Sequence, residues 1–253
     1  MHYEFGTQTD QGKIRPSNED SFIADSQINL YLVADGMGGH AAGEIASKIA
    51  ATAVREVMAA QMVQDVPLDE VLRSAVELAN YRVYESQREI PEYTGMGSTL
   101  TALAFRNNHY CIAHVGDSRA YLLRDGSLDQ LTEDHSHVWP LFEKGILKKS
   151  ELPMHPCKNL ITRAVGTHPQ VSVDIEQGDV REEDVYLLCS DGLTDTMTDE
   201  SIFEILSARG KTNREMVKTL VDEANAAGGP DNITVVVVRL EDKKPAEPKT
   251  EKQ

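Results

Sequence analysis

The stretch Asp35 to His40, D-G-M-G-G-H, joins an apolar run to a helical one. The residues before it, Ile28 to Ala34, are rich in strand formers, and Ala41 to Met58 after it repeats apolar residues at helical spacing. The stretch therefore places the Asp35 carboxylate at a strand end, followed by glycines whose backbone can approach an ion or an anion closely. A carbonyl such as that of Gly36 would be free to join Asp35 as a ligand of a hard cation. The same letters also fit a plain strand-to-helix turn, because Asp-Gly is a common turn dipeptide.

Three further aspartates stand in a similar context, at one end of a strand-like run and beside Gly, Ser or Asn. They are Asp117 in H-V-G-D-S-R, Asp191 in L-L-C-S-D-G-L and Asp231 in G-G-P-D-N-I-T. A fifth acidic site, Glu19 and Asp20 in R-P-S-N-E-D, precedes another short strand. Carboxylates that share one cleft repel each other unless cations compensate them. If the fold gathers these groups, the pattern favours a divalent metal site.

The composition limits the possible partners. A chain of 253 residues with a formal net charge of -16 offers no basic stripe for a nucleic-acid backbone, so no nucleic-acid partner is expected. The acidic balance suits a protein that gathers divalent cations, although it also serves solubility. The length of the chain is most simply explained by one catalytic domain, predicted over residues 1–240. The charged, proline-bearing tail over residues 241–253 is predicted to be disordered.

Cysteine usage and hydropathy give the expected compartment. Cys111, Cys157 and Cys189 are odd in number and form no C-x-x-C pair, so we expect reduced thiols. The N-terminus lacks a basic region followed by an apolar one, and no apolar run approaches the length that crosses a bilayer. These features predict a soluble cytoplasmic protein with no membrane partner.

Hydrophobic periodicity predicts the order of helices and strands. Two amphipathic helices are expected from Ala41 to about Val63 and from Pro67 to about Glu89. Four closely spaced strand signals then predict an antiparallel meander, one end of which is closed by the turn that carries Asp117. The predicted strands are Tyr3–Thr9, Gly97–Phe105, His109–Val115, Ala120–Leu123, Ser127–Leu131, Val171–Ile175, Asp184–Cys189 and Ile233–Leu240, and the later helices are Asp199–Arg209 and Thr212–Ala227, with Asp199 and Thr212 as N-caps. Helices in pairs and strands in meanders argue against a doubly wound parallel sheet.

The periodicity breaks down between His135 and Leu160. This segment holds the only tryptophan and three prolines, and it is interpreted as a mobile surface flap. Its D-H-S-H stretch raises the alternative of a zinc site, but no Cys or His partners at ligand spacing accompany it.

The chain resembles the metal-dependent protein phosphatases of the PPM family, the type 2C serine/threonine phosphatases, and in particular their bacterial branch. The resemblance runs from about Thr9 to Leu240 and rests on an ordered series of motifs. They are R-P-S-N-E-D (15–20), D-G-M-G-G-H (35–40), G-M-G-S-T (95–99), H-V-G-D-S-R (114–119), E-D-H-S (133–136), L-L-C-S-D-G-L (187–193) and G-G-P-D-N-I-T (228–234). The resemblance implies an α+β fold, a four-layer α-β-β-α sandwich with two central antiparallel sheets between helix pairs.

The resemblance also implies a reaction and its cofactors. The reaction would be hydrolysis of phosphoserine and phosphothreonine by attack of a hydroxide that bridges two divalent ions, opposing bacterial serine/threonine kinases. Phosphorylated proteins, including such a kinase, would be the partners of a monomeric enzyme. Oxygen-only ligands favour two to three Mn²⁺ or Mg²⁺ ions over zinc.

By motif position, each acidic residue receives a role from this resemblance. Asp35 would bridge the metal pair, Asp191 and Asp231 would complete one ion's shell, and the Gly36 carbonyl would serve the other. Glu19 and Asp20 would orient metal-bound waters. Asp117 would join Asp191 in holding a third, weaker ion.

Two candidate residues carry open alternatives. Arg15 falls on the family's phosphate-binding position, whereas by itself it fits a surface arginine paired with Glu19. Animal-type members have a histidine two residues after the bridging aspartate, and here that position is Met37. His40 is a candidate for substrate contact or proton transfer, or simply a histidine at a helix start, and metal-bound water is an equal candidate for the acid.

Two other functional classes compete with catalysis. A non-catalytic metal-binding or partner-switching module would have lost ligand carboxylates, and none of the expected positions is lost. A nucleotide-binding role for G-M-G-G is weaker, because the chain has neither G-x-x-x-x-G-K-[ST] nor G-x-G-x-x-G at this point.

Overall fold

The computed structural model describes residues 2–38, 42–61 and 65–241, so His40 and all but the first residue of the tail lie outside the described residues. Over these ranges the chain forms eleven β-strands and six α-helices. The strands are β1 His2–Asp10, β2 Asp20–Asp25, β3 Leu30–Met37, β4 Gly97–Ser98, β5 Leu100–Arg106, β6 His109–Val115, β7 Arg119–Arg124, β8 Ser127–Gln130, β9 Asp174–Asp179, β10 Val185–Cys189 and β11 Ile233–Glu241. The helices are α1 Ala42–Gln61, α2 Leu68–Glu89, α3 Trp139–Glu143, α4 Asp191–Thr194, α5 Asp199–Leu206 and α6 Asn213–Ala226, with short 3₁₀ turns at Pro91–Tyr93 and Lys149–Met154.

Two antiparallel sheets form the centre of the molecule. One has the strand order β1-β11-β10-β7-β8, and the other has the order β2-β3-β5-β6-β9, with β4 attached to β3. Helices α1 and α2 share a core with the second sheet, and helices α4 to α6 share one with the first. A third core, rich in aromatic residues, lies between the sheets. The predicted four-layer α-β-β-α fold is confirmed.

Alternation along single strands explains the four layers. In β3, Leu30 and Leu32 pack in the helix-covered core, whereas Tyr31 and Val33 pack in the core between the sheets. Strand β11 repeats this pattern, because alternate valines belong to the cores on its two sides. Side chains of a strand point alternately to opposite faces, so a continuous apolar run fits a sheet that is buried on both faces.

The predicted four-strand meander is wrong at its middle turn. Strand β6 pairs with β5 and β9, whereas β7 pairs with β8 and β10 in the other sheet. The Gly116-Asp117-Ser118 segment therefore crosses from one sheet to the other. Sequence shows strand signals and turn residues, but a hairpin and a sheet-to-sheet crossover look alike when both flanking strands are buried on two faces. The crossover brings Asp117 to the open end of the sandwich.

Several element bounds also differ from the prediction. Strand β3 continues to Met37, so Asp35 and Gly36 are the sixth and seventh of its eight residues rather than residues that follow the strand. Strand β9 begins at Asp174, because residues 171–173 stay outside the ladder with β6. The N-cap of α5 is Thr198, whose side chain accepts the N–H of Ser201. The predicted cap of α6 is confirmed, with Thr212 and Glu215 forming a capping box.

The flap segment has a small core of its own. Val138, Trp139 and Leu152 are buried there, with three partly buried residues, Phe142, Leu147 and Cys157, packed against them.

All three cysteines are free thiols, and Cys111 and Cys189 are buried in strands. Among the helices of the described residues, none combines the length and apolar character required to span a bilayer.

Candidate metal centre

One cavity of about 600 Å³ opens at the end of the sandwich where the two sheets meet the flap segment. Its walls include four predicted ligand carboxylates, those of Asp35, Asp117, Asp191 and Asp231. Glu19, Gly36 and Arg15 also line the cavity, together with Pro16, Ser17, Met37, Gly38, Asn159, Leu160, Ile161 and Asn232. Tertiary structure therefore brings together acidic residues that are spread over almost the whole chain.

Strand pairing and strand ends position the acidic residues. Asp35 on β3 lies opposite Asp20 on β2 in the antiparallel ladder. Asp191 is the first residue of α4, directly after β10, and Asp231 lies just before β11, the strand that pairs with β10. Asp117 reaches the cavity from the crossover between β6 and β7. Each carboxylate thus lies on a strand or close to the end of one, and hydrogen bonds to neighbouring strands fix the position of that strand.

Hydroxyl side chains hold the Asp35 and Asp117 backbones together. The Asp35 N–H donates to Thr99 Oγ1 at 2.9 Å, and the Thr99 N–H donates back to the Asp35 carbonyl at 2.8 Å. Thr99 Oγ1 also shares a hydrogen bond of 2.7 Å with Ser118 Oγ, next to Asp117. Ser98 Oγ donates to the same Asp35 carbonyl at 3.0 Å. The G-M-G-S-T motif therefore positions two acidic residues without entering the cavity as a ligand.

Asn232 organises the other wall. Its side-chain amide donates to the carbonyls of Gln11 and Ser17, both at 2.9 Å, and its Oδ1 accepts the Glu19 N–H at 2.8 Å. Its own N–H donates to Asp231 Oδ1 at 2.8 Å. Asn232 therefore ties the loop that carries Arg15 and Glu19 to Asp231. The motif G-G-P-D-N-I-T contained this residue, but only the contacts reveal its role.

Asp20 sits behind the cavity and is anchored by a serine. Ser190 Oγ donates to Asp20 Oδ2 at 2.8 Å and accepts the N–H of Thr234 at 2.9 Å. Glu19 occupies space that Gly43 leaves open, because a Cβ on Gly43 would lie 2.1 Å from Glu19 Oε2. A Cβ on Gly36 would lie 2.0 Å from the Gly43 carbonyl oxygen, so both glycines are needed for this close packing of α1 on β3.

Buried carboxylate oxygens in this region lack partners. Within the described residues, one oxygen each of Asp20, Asp117 and Asp191 is buried without a hydrogen bond. Buried acceptors of this kind are costly unless a donor or a cation satisfies them. Unpaired, inward-facing carboxylate oxygens are the donor type that Mg²⁺ and Mn²⁺ prefer. The residues present therefore fit a divalent ion.

Electrostatics support the same conclusion. Burial, followed by repulsion from neighbouring aspartates, raises the pKa of Asp35 and of Asp191 well above the ordinary range. Burial raises the pKa of Asp117 to about 7 and that of Asp20 to about 6. A group of acids that resist ionisation is stabilised in its charged form by a nearby cation.

Coordination by protein groups alone would be incomplete. Among the residues that the structure describes, no three His, Cys, Asp or Glu side chains stand together as a ready-made shell for one ion. Mg²⁺ and Mn²⁺ sites commonly combine one or two carboxylates with several waters, and this cavity has room for them. The donor set fits hydrated ions rather than a closed protein cage.

Arg15 is placed at the rim, but its partner differs from the one expected for a surface arginine. Its Nη2 donates to Asp231 Oδ2 at 2.5 Å, and half of the side chain is exposed. The alternative pairing with Glu19 is not the ion pair observed. The hydrogen bond to Asp231 raises the pKa of the guanidinium, which is charged throughout the neutral range. An exposed guanidinium held at the mouth of the cavity is available to an incoming anion.

Residues that sequence reasoning left out come mainly from the flap segment. Asn159, Leu160 and Ile161 also line the cavity. The flap residue Lys158 binds Asp195 of the segment that follows Asp191, and Lys149 binds Asp199 at 2.6 Å. No periodic signal marked these residues, because they lie in irregular backbone.

Comparison with known proteins gives a consistent family assignment. The profile of the family described as Protein phosphatase 2C matches residues 15–224. "Serine/threonine protein phosphatase PstP" of Mycobacterium tuberculosis is 40% identical over 94% of this chain and 45% of its own length. "Serine/threonine phosphatase stp" of Listeria monocytogenes is 38% identical over 94% of this chain and 95% of its own length. The chain therefore spans about half the length of the first relative and nearly all of the second.

Solved structures agree with this assignment. The crystal structure of the Mycobacterium tuberculosis phosphatase PstP/Ppp has a TM-score of 0.88 at 40% identity, covering 96% of this chain and 100% of that one. A structure described as the catalytic domain of PstP in complex with 2 manganese ions has a TM-score of 0.85 at 38% identity, covering 95% and 99%.

The raised pKa values predict an unusual pH dependence for the metal-free protein. A carboxyl whose folded pKa lies above its unfolded value of about 4 stabilises the fold at low pH, and that contribution is lost progressively as pH rises from the unfolded to the folded pKa. With folded values of about 7 for Asp117 and about 6 for Asp20, these two carboxyls should lower the thermal midpoint in chelator between about pH 4 and about pH 7 and add no slope above that range. The expected slope is about 1.4 kcal/mol per pH unit for each titrating carboxyl.

Thermal unfolding in chelator, with and without added manganese, measures this slope. Asp117→Asn cannot titrate at this position, so the variant should show a shallower slope, and manganese should stabilise the wild type more at pH 8 than at pH 5.5. A wild-type midpoint in chelator that falls no more steeply than that of Asp117→Asn between about pH 4 and about pH 7 would contradict the raised pKa of Asp117.

Proposed function

We propose that this chain, which belongs to the protein phosphatase 2C family, is a metal-dependent phosphatase that hydrolyses phosphoserine and phosphothreonine in proteins. The observation that carries the proposal is the single cavity that gathers four aspartates, three of them with raised pKa, with Arg15 at its rim. The names of the relatives supply the substrate class. A module that only binds metal would not need the guanidinium beside the carboxylates.

The chemistry requires charge neutralisation and a nucleophile. Divalent ions, when bound, lower the pKa of a water molecule and offset the negative charge of the phosphoryl oxygens. In this proposal the side chains of Asp35, Asp191 and Asp231 hold two such ions together with the Gly36 carbonyl. Manganese has support from the relative solved with two manganese ions, and magnesium is the second candidate on ligand chemistry.

The other acidic residues have supporting roles in the proposal. Asp20 and Glu19 lie beside the ligands and would orient bound water through their carboxylates. Asp117 would hold a third ion with Asp191, because its carboxylate is close enough for its charge to raise the pKa of Asp191. Fewer protein groups would serve that ion, so it should bind more weakly than the other two.

Arg15 would bind the phosphate of the substrate. Its guanidinium is held by Asp231 and half exposed, so it can donate to phosphoryl oxygens without moving far. The exchange would also release Asp231 from the ion pair and leave its carboxylate to a metal ion. His40 stays a candidate for substrate contact or proton transfer, and a metal-bound water is the alternative acid.

The physiological setting is proposed on the same basis. Phosphorylated proteins, including a serine/threonine kinase, would be the substrates of a monomeric cytoplasmic enzyme that works in signalling. The catalytic domain would comprise residues 1–240, with a flap at about 135–160 near the cavity.

Metal-dependent turnover tests the proposal most directly. Hydrolysis of an aryl phosphate by the purified protein should require manganese or magnesium and stop with chelator. Asp191→Asn should lower kcat by roughly two orders of magnitude, because a ligand loses its charge. Asp222→Asn removes a charge from an exposed ion pair on α6 and is the matched control. Full activity of the Asp191 variant, or turnover in chelator, would leave the metal-binding module as the better explanation.

Arg15→Ala should raise KM more than it lowers kcat, if the phosphate contact is equally strong in the ground and transition states. A loss of about tenfold in kcat/KM corresponds to one charge-assisted hydrogen bond. Arg15→Lys should restore only part of it, because an ammonium cannot bind the phosphate through two parallel donors. Arg55→Ala, which breaks another half-exposed Arg–Asp pair, is the control. Unchanged kinetics of the Arg15 variant on both an aryl phosphate and a phosphopeptide would make Arg15 a surface residue.

Asp117→Ala should cut turnover sharply while two ions still bind tightly. The reason is that Asp117 is assigned to the third, weaker ion only. Calorimetric titration of manganese into wild type and variant measures each class of site, and thermal unfolding with manganese checks the fold. Loss of a tight site, or full activity with all sites retained, would assign Asp117 a different role.

A further inference from the structure

His135 of the E-D-H-S motif makes contacts that catalysis by the carboxylates does not explain. It is 7% exposed and lies where the flap begins, beside the crossover that carries Asp117. Its backbone N–H donates to the Gly116 carbonyl at 2.8 Å, and its ring Nδ1 accepts the Gly116 N–H at 2.9 Å. The residue directly before Asp117 is therefore held on both sides by one histidine. We call this pair of hydrogen bonds the Gly116 clasp.

The contacts of the ring fix its tautomer. Because Nδ1 accepts a hydrogen bond from a backbone N–H, the ring proton must be on Nε2, which donates to Asp174 Oδ2 at 2.9 Å. The other oxygen of Asp174 accepts from Arg163 at 2.5 Å. Burial lowers the pKa of His135, so the ring is neutral at pH 7. With both nitrogens engaged, no lone pair is left for the zinc ion that D-H-S-H raised as an alternative.

Gly116 has little freedom to replace the clasp with other contacts. Its φ of +115° lies in the region that favours glycine, and a Cβ there would lie 2.6 Å from the Thr99 side chain. The same crossover is fixed on its other side by Ser118, which bonds Thr99. The clasp and the Ser118 bond thus bracket Asp117, whose own carboxylate retains a buried oxygen without a partner among the described residues.

His135 also connects the crossover to the flap. Its carbonyl accepts the Thr162 N–H at 2.7 Å, and the next residue, Ser136, forms a β-bridge with Ile161. Ile161 lines the cavity. The base of the flap and the Asp117 crossover therefore meet at one buried residue, His135.

We infer that His135, held as the Nε2–H tautomer by Asp174, is a positioning residue that aims Asp117 into the cavity through the Gly116 clasp. The chain of contacts runs from Arg163 to Asp174, His135 and Gly116, and ends at Asp117. The inference rests on the proposed function for its effect on ion binding, whereas the clasp itself is testable in the metal-free protein.

Two substitutions with amide side chains distinguish a role of His135 in the Gly116 clasp from a role in packing alone. In His135→Asn the side-chain oxygen falls close to the position of Nδ1 and can still accept the Gly116 N–H. In His135→Gln the longer side chain keeps more of the ring's volume and can reach Asp174, but it places no acceptor at Nδ1. Packing alone would favour Gln, and the clasp favours Asn.

The Gln variant is expected to differ from the wild type, whereas the Asn variant is expected to stay close to it. His135→Gln should speed hydrogen exchange of the Gly116 amide in metal-free protein about tenfold, weaken the Asp117-dependent manganese ion about tenfold, and lower kcat with little change in KM. His135→Asn should stay within about threefold of wild type in all three. Nitrogen-15 shifts of the wild-type ring should show the proton on Nε2. Equal losses in both variants, no loss in either, or a proton on Nδ1 would overturn the inference.

A second pair of variants guards against a fold defect at the buried site. Asp174 is about half exposed, so Asp174→Asn should fold normally. The side-chain amide in this variant has only one oxygen acceptor for the two donors Arg163 and His135. Its NH2 group can instead donate to Nε2 of His135, which favours the ring tautomer with the proton on Nδ1. That proton would point at the Gly116 N–H and break the hydrogen bond to it. Faster Gly116 exchange is expected here, but not in Asp179→Asn, which alters the exposed His109–Asp179 pair on the same strand.

The two layers of the proposal fail differently. If the wild type binds no third ion, the proposed role of Asp117 as a metal ligand fails, and the clasp is judged by Gly116 exchange and ring tautomer alone. If the ion binds but Asp174→Asn and Asp179→Asn leave Gly116 exchange equally unchanged, the positioning role of His135 is wrong while the metal site stands.

Discussion

Repulsion among carboxylates confined to one cleft is the constraint on which the rest of this structure depends. Asp35, Asp117 and Asp191 are drawn into an environment that raises the pKa of each, and they gain nothing from one another's presence. The free energy that assembles the cleft must therefore come from elsewhere. It comes from three apolar cores that bury both faces of both sheets, and from backbone hydrogen bonds that hold each acidic segment in place.

The ends of the strands in the sandwich bring the acidic residues close together. Paired strands β2 and β3 carry Asp20 and Asp35, and paired strands β10 and β11 run into Asp191 and Asp231. One crossover, between β6 and β7, adds Asp117. Uncharged polar side chains, those of Thr99, Ser190 and Asn232, then connect these segments. Rigid supports of this kind matter for a metal site because a ligand displaced by a fraction of an ångström binds its ion less well.

The flap segment and the carboxylates are mechanically linked rather than merely adjacent. His135 joins the flap base to Gly116, and Lys158 joins the flap to Asp195 close to Asp191. The flap segment thus contacts both segments that carry the candidate third-ion ligands. Where carboxylates repel each other, such neutral or oppositely charged neighbours decide where each carboxylate points.

The sequence by itself determined the alternation of helices and strands, the long buried strand β11, the capped helix α6 and the identity of the acidic residues, because period, capping and residue type are local properties. The ordered motifs also gave the four-layer architecture through resemblance. Tertiary structure alone decided that the strands around Asp117 belong to different sheets, that Arg15 pairs with Asp231, and that Asn232 and His135 position their neighbours. Those features depend on contacts between residues far apart in the chain, and no local pattern records which distant partner a buried polar group will meet.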